Sequence, residues 1–93
     1  MIKSFADKET EKIYNQLFSA KLPQSIQKVA LRKMIMMDAA SSLNDLRMPP
    51  SNHLELLKGD RSGQYSIRIN DKYRICFEFE RSDCYQVEIV DYH

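Results

Sequence analysis

The stretch Gln64-Tyr65-Ser66-Ile67-Arg68-Ile69-Asn70-Asp71-Lys72-Tyr73-Arg74-Ile75-Cys76-Phe77-Glu78-Phe79 contains two alternating runs separated by a polar break. Tyr65, Ile67 and Ile69 share one side of the first run. Tyr73, Ile75, Phe77 and Phe79 share one side of the second, which is the period-2 pattern of half-buried strands. The two apolar sides coincide only if Ile69 pairs with Tyr73 through a loop of Asn70, Asp71 and Lys72. A shorter loop of Asp71 and Lys72 would set Ile75 beside Arg68 and mix the faces. In the consistent register Arg68 lies directly opposite Arg74 on the open face of the sheet. Like charges so placed repel by roughly a few tenths of a kcal/mol, so a sequence that keeps this pair has a place for an anion.

Further along, Tyr85, Val87 and Ile89 continue the alternation, predicting strands at approximately 64–69, 73–79 and 85–90. Pairing Phe79 with Tyr85 places Ile75 across from Ile89 and Arg74 across from Val90. Tyr92 then follows on the side of Val90, one step beyond Arg74, with His93 close by. Upstream, Glu55 alternates with Leu54 and Leu56 in a further short strand over 54–57 and points to the open face as well. A carboxylate, two arginines, a phenol and an imidazole therefore converge on one region.

The first half has helical rather than strand periodicity. Met1 to Phe5 suits a short initial strand, and Asp7 can cap a helix from Lys8 to about Ser19, with Ile13, Leu17 and Phe18 at helical spacing. Pro23 suits the first turn of a second helix over about 24–43. Ile26, Val29, Ala30, Met36, Met37, Ala40 and Leu43 share one face of it, whereas Leu31, Met34 and Ile35 fall off that stripe, toward the first helix or a partner protein. Pro49-Pro50 closes the helical half. The fold expected is α+β: a single domain over 1–93, with two N-terminal helices packed on one face of an antiparallel sheet of about four strands.

Of the 93 residues, 43% are hydrophobic and 29% charged, which is ordinary globular composition. No apolar run approaches the ~18 residues of a membrane span, and no signal-peptide pattern opens the chain, so the expected compartment is the cytoplasm, with no membrane partner. Cys76 and Cys84 are too few for a disulfide framework and lack the spacing of a zinc site, which leaves two reduced thiols. The net charge of +1 is uninformative, but Lys58, Arg61, Arg68, Lys72 and Arg74 face only Asp60 and Asp71 within residues 58–74.

Taken singly, each polar residue has a plain structural reading: solvated arginines, a packing tyrosine, a frayed terminal histidine, a surface ion pair of Glu55 with Lys58 or Arg61. Together they suit cleavage of RNA through its own 2′-hydroxyl. That reaction needs a base for the 2′ proton, an acid for the leaving 5′ oxygen, and cations around a pentacoordinate phosphorus. Glu55 and His93 are the acid–base candidates, with Tyr92 as a further proton donor or a base-stacking ring. Arg68, Arg74, Lys58 and Arg61 supply positive charge, and Lys72 adds to it. The scheme calls for no metal and no cofactor.

Three stretches make a resemblance recognisable: residues 54–70 around Leu57-Lys58-Gly59-Asp60-Arg61-Ser62-Gly63, then Tyr73-Arg74-Ile75-Cys76-Phe77, then Val87-Glu88-Ile89-Val90-Asp91-Tyr92-His93. With Ile2-Lys3-Ser4-Phe5, Ala30-Leu31-Arg32-Lys33 and Asp38-Ala39-Ala40, nearly the whole chain resembles the HigB toxins, or plasmid-maintenance killer proteins, of the RelE/ParE superfamily. The resemblance implies a RelE-like fold, ribosome-dependent mRNA cleavage in the A site, and neutralisation by a HigA-type helix-turn-helix antitoxin, through which alone operator DNA would be met. It carries functional roles to Lys58, Arg68, Arg74, Asp91, Tyr92 and His93. Some HigB toxins have a functional histidine four residues before the loop glycine, where this chain has Glu55. His53, two positions earlier, is set aside as facing the other way. Tyr65 and Tyr73 stand where relatives often have Trp, on the core side. The rival readings are a ParE-like toxin that binds DNA gyrase without nuclease chemistry, and an interaction module that has lost activity.

Overall fold

The computed structural model describes residues 1–91; Tyr92 and His93, which carry two of the expected site roles, lie outside the described residues. Two helices, α1 (Lys8–Tyr14) and α2 (Gln24–Ala39), precede four strands, β1 (Glu55–Leu56), β2 (Tyr65–Arg68), β3 (Tyr73–Glu80) and β4 (Asp83–Asp91). The strands form one antiparallel sheet in the order β1-β2-β3-β4. Between β2 and β3 the register is the one face matching demands, with Ile67 opposite Ile75 and Arg68 opposite Arg74. Asn70 builds the turn: its Oδ1 accepts from the backbone N–H groups of Lys72 (2.9 Å) and Tyr73 (2.8 Å), a side chain standing in for a backbone turn.

The β3–β4 hairpin changes register partway along. Ile75 pairs with Ile89 and Arg74 with Val90 as expected, but nearer the turn Glu78 pairs with Tyr85 and Phe79 with Cys84. The anticipated pairing of Phe79 with Tyr85 is therefore off by one residue. The cause is a bulge at Gln86, which adopts φ 54° and donates its N–H to Ser4 Oγ at 2.9 Å. Cys84 consequently enters the core in place of Tyr85, and burial pushes its thiol up to about 11.

Residues 1–6 do not form a full strand. They run parallel to the outer edge of β4 through two bridges, Ile2 with Cys84 and Phe5 with Val87. Ile89 N–H then donates to Thr10 Oγ1 at 3.0 Å, so this edge is satisfied by the N-terminal segment and α1 together. Asp38 joins the layers from the other side, accepting from Ile2 N–H at 2.7 Å and from the Tyr14 hydroxyl.

Asp7 caps α1 as expected, accepting from Thr10 N–H at 3.1 Å. The helix nevertheless ends at Tyr14 rather than Ser19. Gln16 turns left-handed (φ 63°) while Gln16 N–H bonds Ile13 O and Leu17 N–H bonds Lys12 O, the paired closure that terminates many helices. Leu17 and Phe18 are thereby left 59% and 65% exposed instead of joining the core. Helix α2 stops at Ala39, and short 3₁₀ turns at Leu43–Arg47 and Pro50–Asn52 follow it. Its buried row is Ile26, Ala30, Lys33, Met34 and Met37, so Met34 belongs to the stripe from which it had been excluded. Against this row pack Ile67, Ile75, Phe77, Val87 and Ile89 from the core face of the sheet. Tyr65 stacks at a tilt on Phe77, 6.1 Å between centroids.

Candidate active site on the open face of the sheet

The strand registers lay out the opposite face in two rows. Glu55, Ser66, Cys76 and Glu88 are successive partners across all four strands, and Arg68, Arg74 and Val90 form the next row. The plain structural reading of Arg74 was a solvated side chain. The residue is instead only 8% exposed. Its Nε donates to Ser66 Oγ at 2.8 Å, its Nη2 to the carbonyl oxygens of His53 and Ser66, and its Nη1 lies 3.4 Å from Glu55 Oε1. A buried guanidinium requires partners on every side. Here they tie the segment before β1 to the middle of the sheet.

Arg68, directly across, turns the other way and pairs with Asp71, whose side chain is almost fully exposed. The like-charge opposition is thus relieved by two carboxylates on either side. Between them lies an open cavity of about 260 Å³ lined by His53, Glu55, Arg68, Asn70, Asp71 and Arg74. His53 lines it from just before β1, where it closes the Pro50–Asn52 turn in the left-handed conformation (φ 45°, ψ 56°). Setting His53 aside as facing the other way was mistaken, since residues two apart share a strand face, and Asn70 was missed because its role as a turn former concealed its place beside Arg68.

Of the residues singled out from the sequence, Glu55, Arg68 and Arg74 meet in this cavity. Arg61 lies over the neighbouring row, bonded to Gln64 Oε1 (3.0 Å) and Glu88 Oε1 (3.2 Å). Cys76 is buried beneath, its thiol raised chiefly by burial. Lys58 is exposed where the Gly59–Arg61 turn begins, outside the cavity. Lys72 and Asp91 pair with each other at 3.7 Å at the hairpin end, the ammonium 5.8 Å from the Tyr73 ring centroid.

The face is thus not the simple positive patch that residues 58–74 suggested. Arg61, Arg68, Arg74 and Lys72 each face a carboxylate. These pairs differ in how readily they open. Glu55 is half exposed and touches Arg74 at a single long contact, and such a pair is worth little in water. An entering phosphate could replace it, taking the Arg74 Nη1 that Glu55 leaves and the charge of Arg68 across from it. The carboxylate so released, together with the His53 imidazole, would then lie beside the bound anion as proton acceptors.

Comparison with known proteins identifies the family. Residues 3–93 match the family described as the RelE-like toxin of type II toxin-antitoxin system HigB. Toxin HigB-1 of Vibrio cholerae is 40% identical over 80 residues, covering 85% of this chain and 84% of that protein. Endoribonuclease HigB of Proteus vulgaris is 32% identical over 94 aligned positions, covering 100% of both. An uncharacterized protein of Haemophilus influenzae is 44% identical over 64 residues, spanning 69% of this chain and 63% of that protein. Among solved structures, a chain of the YoeB-YefM complex from Staphylococcus aureus superposes with a TM-score of 0.52 at 17% identity, covering 100% of this chain and 98% of that one, a likeness of fold. From the family match and the Vibrio and Proteus relatives, the chain belongs to the HigB-like toxins, the RelE-like toxins of type II toxin–antitoxin systems.

Proposed function

We propose that this toxin is an endoribonuclease that cuts mRNA in the ribosomal A site by metal-independent attack of the RNA's own 2′-hydroxyl, acting as a single domain in the cytoplasm. The observation that carries the reading is the meeting of two arginines, a carboxylate and an imidazole in one open cavity. The name of the Proteus vulgaris relative supports it. A base takes the 2′ proton, the 2′ oxygen attacks phosphorus, and the bond to the 5′ oxygen breaks as that oxygen gains a proton. The products are a 2′,3′-cyclic phosphate and a 5′-hydroxyl. Glu55, freed from Arg74 as the phosphate arrives, or His53 beside it, serves as base. Arg68 and Arg74 hold the charge that builds on the phosphorus oxygens. His93, or Tyr92, supplies the leaving-group proton by the chemistry of its side chain, and the family resemblance assigns functional roles to both and to Asp91 and Lys58. Arg61 and Lys72 contribute to the backbone field.

The partners are the 70S ribosome with its mRNA and a HigA-type helix-turn-helix antitoxin, through which operator DNA is met only indirectly. Because carboxylates already occupy most of the cations, phosphate affinity on free RNA is low and falls steeply with salt. The ribosome must therefore present the strand. The test is a translating ribosome programmed with one defined mRNA, scored for 2′,3′-cyclic ends, beside the same RNA naked at physiological salt. Cutting on the ribosome with little on naked RNA is expected. Growth arrest with intact mRNA and lost supercoiling would sink the reading in favour of a gyrase-binding toxin.

A further inference from the structure

A second cavity, of about 390 Å³, opens between α2, the Pro50–Asn52 turn and the β2–β3 hairpin. Arg68 and Asn70 line both cavities, so the two adjoin at these residues. The charge in the second part differs in kind from that in the first. There Glu55 and Asp71 stand against the arginines, whereas among the described residues no carboxylate lines the second part. Arg32 lies on its wall, exposed and, among the described residues, in no ion pair. Lys33 beside it is 5% exposed, and its ammonium donates to Asn52 Oδ1, a neutral amide. Asn52 is held in turn by the carbonyls of Leu46 (3.1 Å) and Met48 (3.3 Å), so this cation is fixed in place with no counter-charge among the described residues.

Ser51 contributes a hydroxyl to the same wall. Asn70 uses its Oδ1 in the hairpin turn, which leaves its amide N–H₂ end as a donor. Two cations without carboxylates, a shared arginine and neutral donors are what a phosphodiester requires. A carboxylate-bearing ligand would gain the same charge attraction, but the adjacency of the cleavage cavity favours a nucleic-acid strand whose phosphates recur at regular spacing.

We infer that this groove is a second phosphate subsite, holding a phosphodiester of the same RNA strand next to the one being cut, with Arg32 and Arg68 in contact and Lys33 supplying charge from the wall. The inference rests on the ribonuclease reading and adds a direction to it: the substrate strand leaves the cleavage cavity past Asn70 toward α2. Consistently, burial and then the charge of Arg32 pull the Lys33 ammonium below the usual lysine range, a penalty that a bound anion would reduce.

The test uses the full chain at low salt and two uncleavable 2′-O-methyl RNAs, a dinucleotide with one phosphodiester and a tetranucleotide with three, bound to wild type, Arg32→Gln and Arg32→Lys. Arg32 is exposed, so neither substitution threatens the fold. Arg32→Gln should weaken the tetranucleotide roughly 5- to 20-fold and lower its salt slope by about 0.7, the value of one single-strand phosphate contact. The dinucleotide should bind as before, and Arg32→Lys should recover most of the loss. An unchanged tetranucleotide, or an equal loss for both lengths, overturns the subsite. So does slower cutting on ribosomes with both oligonucleotides unaffected, which would give Arg32 to ribosomal RNA. Hexaglutamate held as tightly as the tetranucleotide would give the groove to an acidic protein. If any of these results appears while wild type still cuts mRNA on ribosomes, the subsite alone falls; if wild type cuts nothing and binds neither RNA, the ribonuclease reading falls with it.

Discussion

On one side of the sheet Ile67, Ile75, Phe77 and Val87 are sealed beneath α2 by other apolar groups, while on the other Ser66, Arg74 and Cys76 are almost equally inaccessible although most of their neighbours are polar. The first kind of burial is directionless: any side chain of suitable volume can take part. The second depends on one guanidinium reaching a hydroxyl, two carbonyls and a carboxylate at once. A sheet can thus have two cores, one of which tolerates repacking and one of which does not. The intolerant one is where the proposed chemistry sits.

The contrast can be broken at several points. Phe77→Ala removes a large, fully buried ring and should cost about 3–5 kcal/mol in urea unfolding, with cleavage per folded molecule little changed. Arg74→Ala should lose cleavage and also about 1–3 kcal/mol, because the His53 carbonyl and Ser66 hydroxyl lose their partner. An arginine pointing away from the apolar core would have been expected to cost almost nothing, so a melting temperature equal to wild type would refute the second core.

Tyr14 sharpens the comparison from the helical side. Its hydrogen bond to Asp38, with burial helping, raises the phenol to about 12. A folded-state value above the unfolded one stabilises the protein fully below pH 10 and less as the pH climbs through 12. After discounting for partial exposure the loss is about 1–2 kcal/mol. Denaturant titrations from pH 9 to 12 should show it in wild type and not in Tyr14→Phe.

The smallest stability effects belong to Arg68 and to the last two residues. Arg68→Ala should stay within about 0.5 kcal/mol of wild type, since its partner Asp71 is a surface carboxylate, yet cleavage should fall by about 100-fold or more. Removing Tyr92 and His93 should likewise inactivate the toxin with only a small melting shift. A truncated protein that cuts at the original rate would return the proton transfers to Glu55 and His53.

The hairpin of β2 and β3 was legible because two apolar faces admit one common register, and that register places Arg68 opposite Arg74. What escaped depended on left-handed backbone at residues other than glycine. Gln16 ends α1 and Gln86 makes the bulge, both with positive φ and neither with a compositional flag. The burial of Arg74 was hidden for a different reason: two of its partners are backbone carbonyls, which every residue possesses.

The bulge at Gln86 also insulates one end of β4 from the other. Between it and the turn, pairing follows the hairpin tip; beyond it, pairing follows Arg74 and Ile75. A residue gained or lost at the tip, around Arg81 and Ser82, could be absorbed by re-pairing Phe79, Cys84 and Tyr85 without moving Val90 or Asp91. Deleting Gln86 itself would only remove the bulge: after Tyr85 opposite Glu78, Val87 would stand opposite Phe77 and Glu88 would remain opposite Cys76. Deleting a residue beyond it has no such remedy. With the tip held, loss of Glu88 would set Ile89 opposite Cys76 and Val90 opposite Ile75, exchanging the faces of every later side chain. Natural variation in length is therefore permitted up to residue 86 and forbidden beyond it.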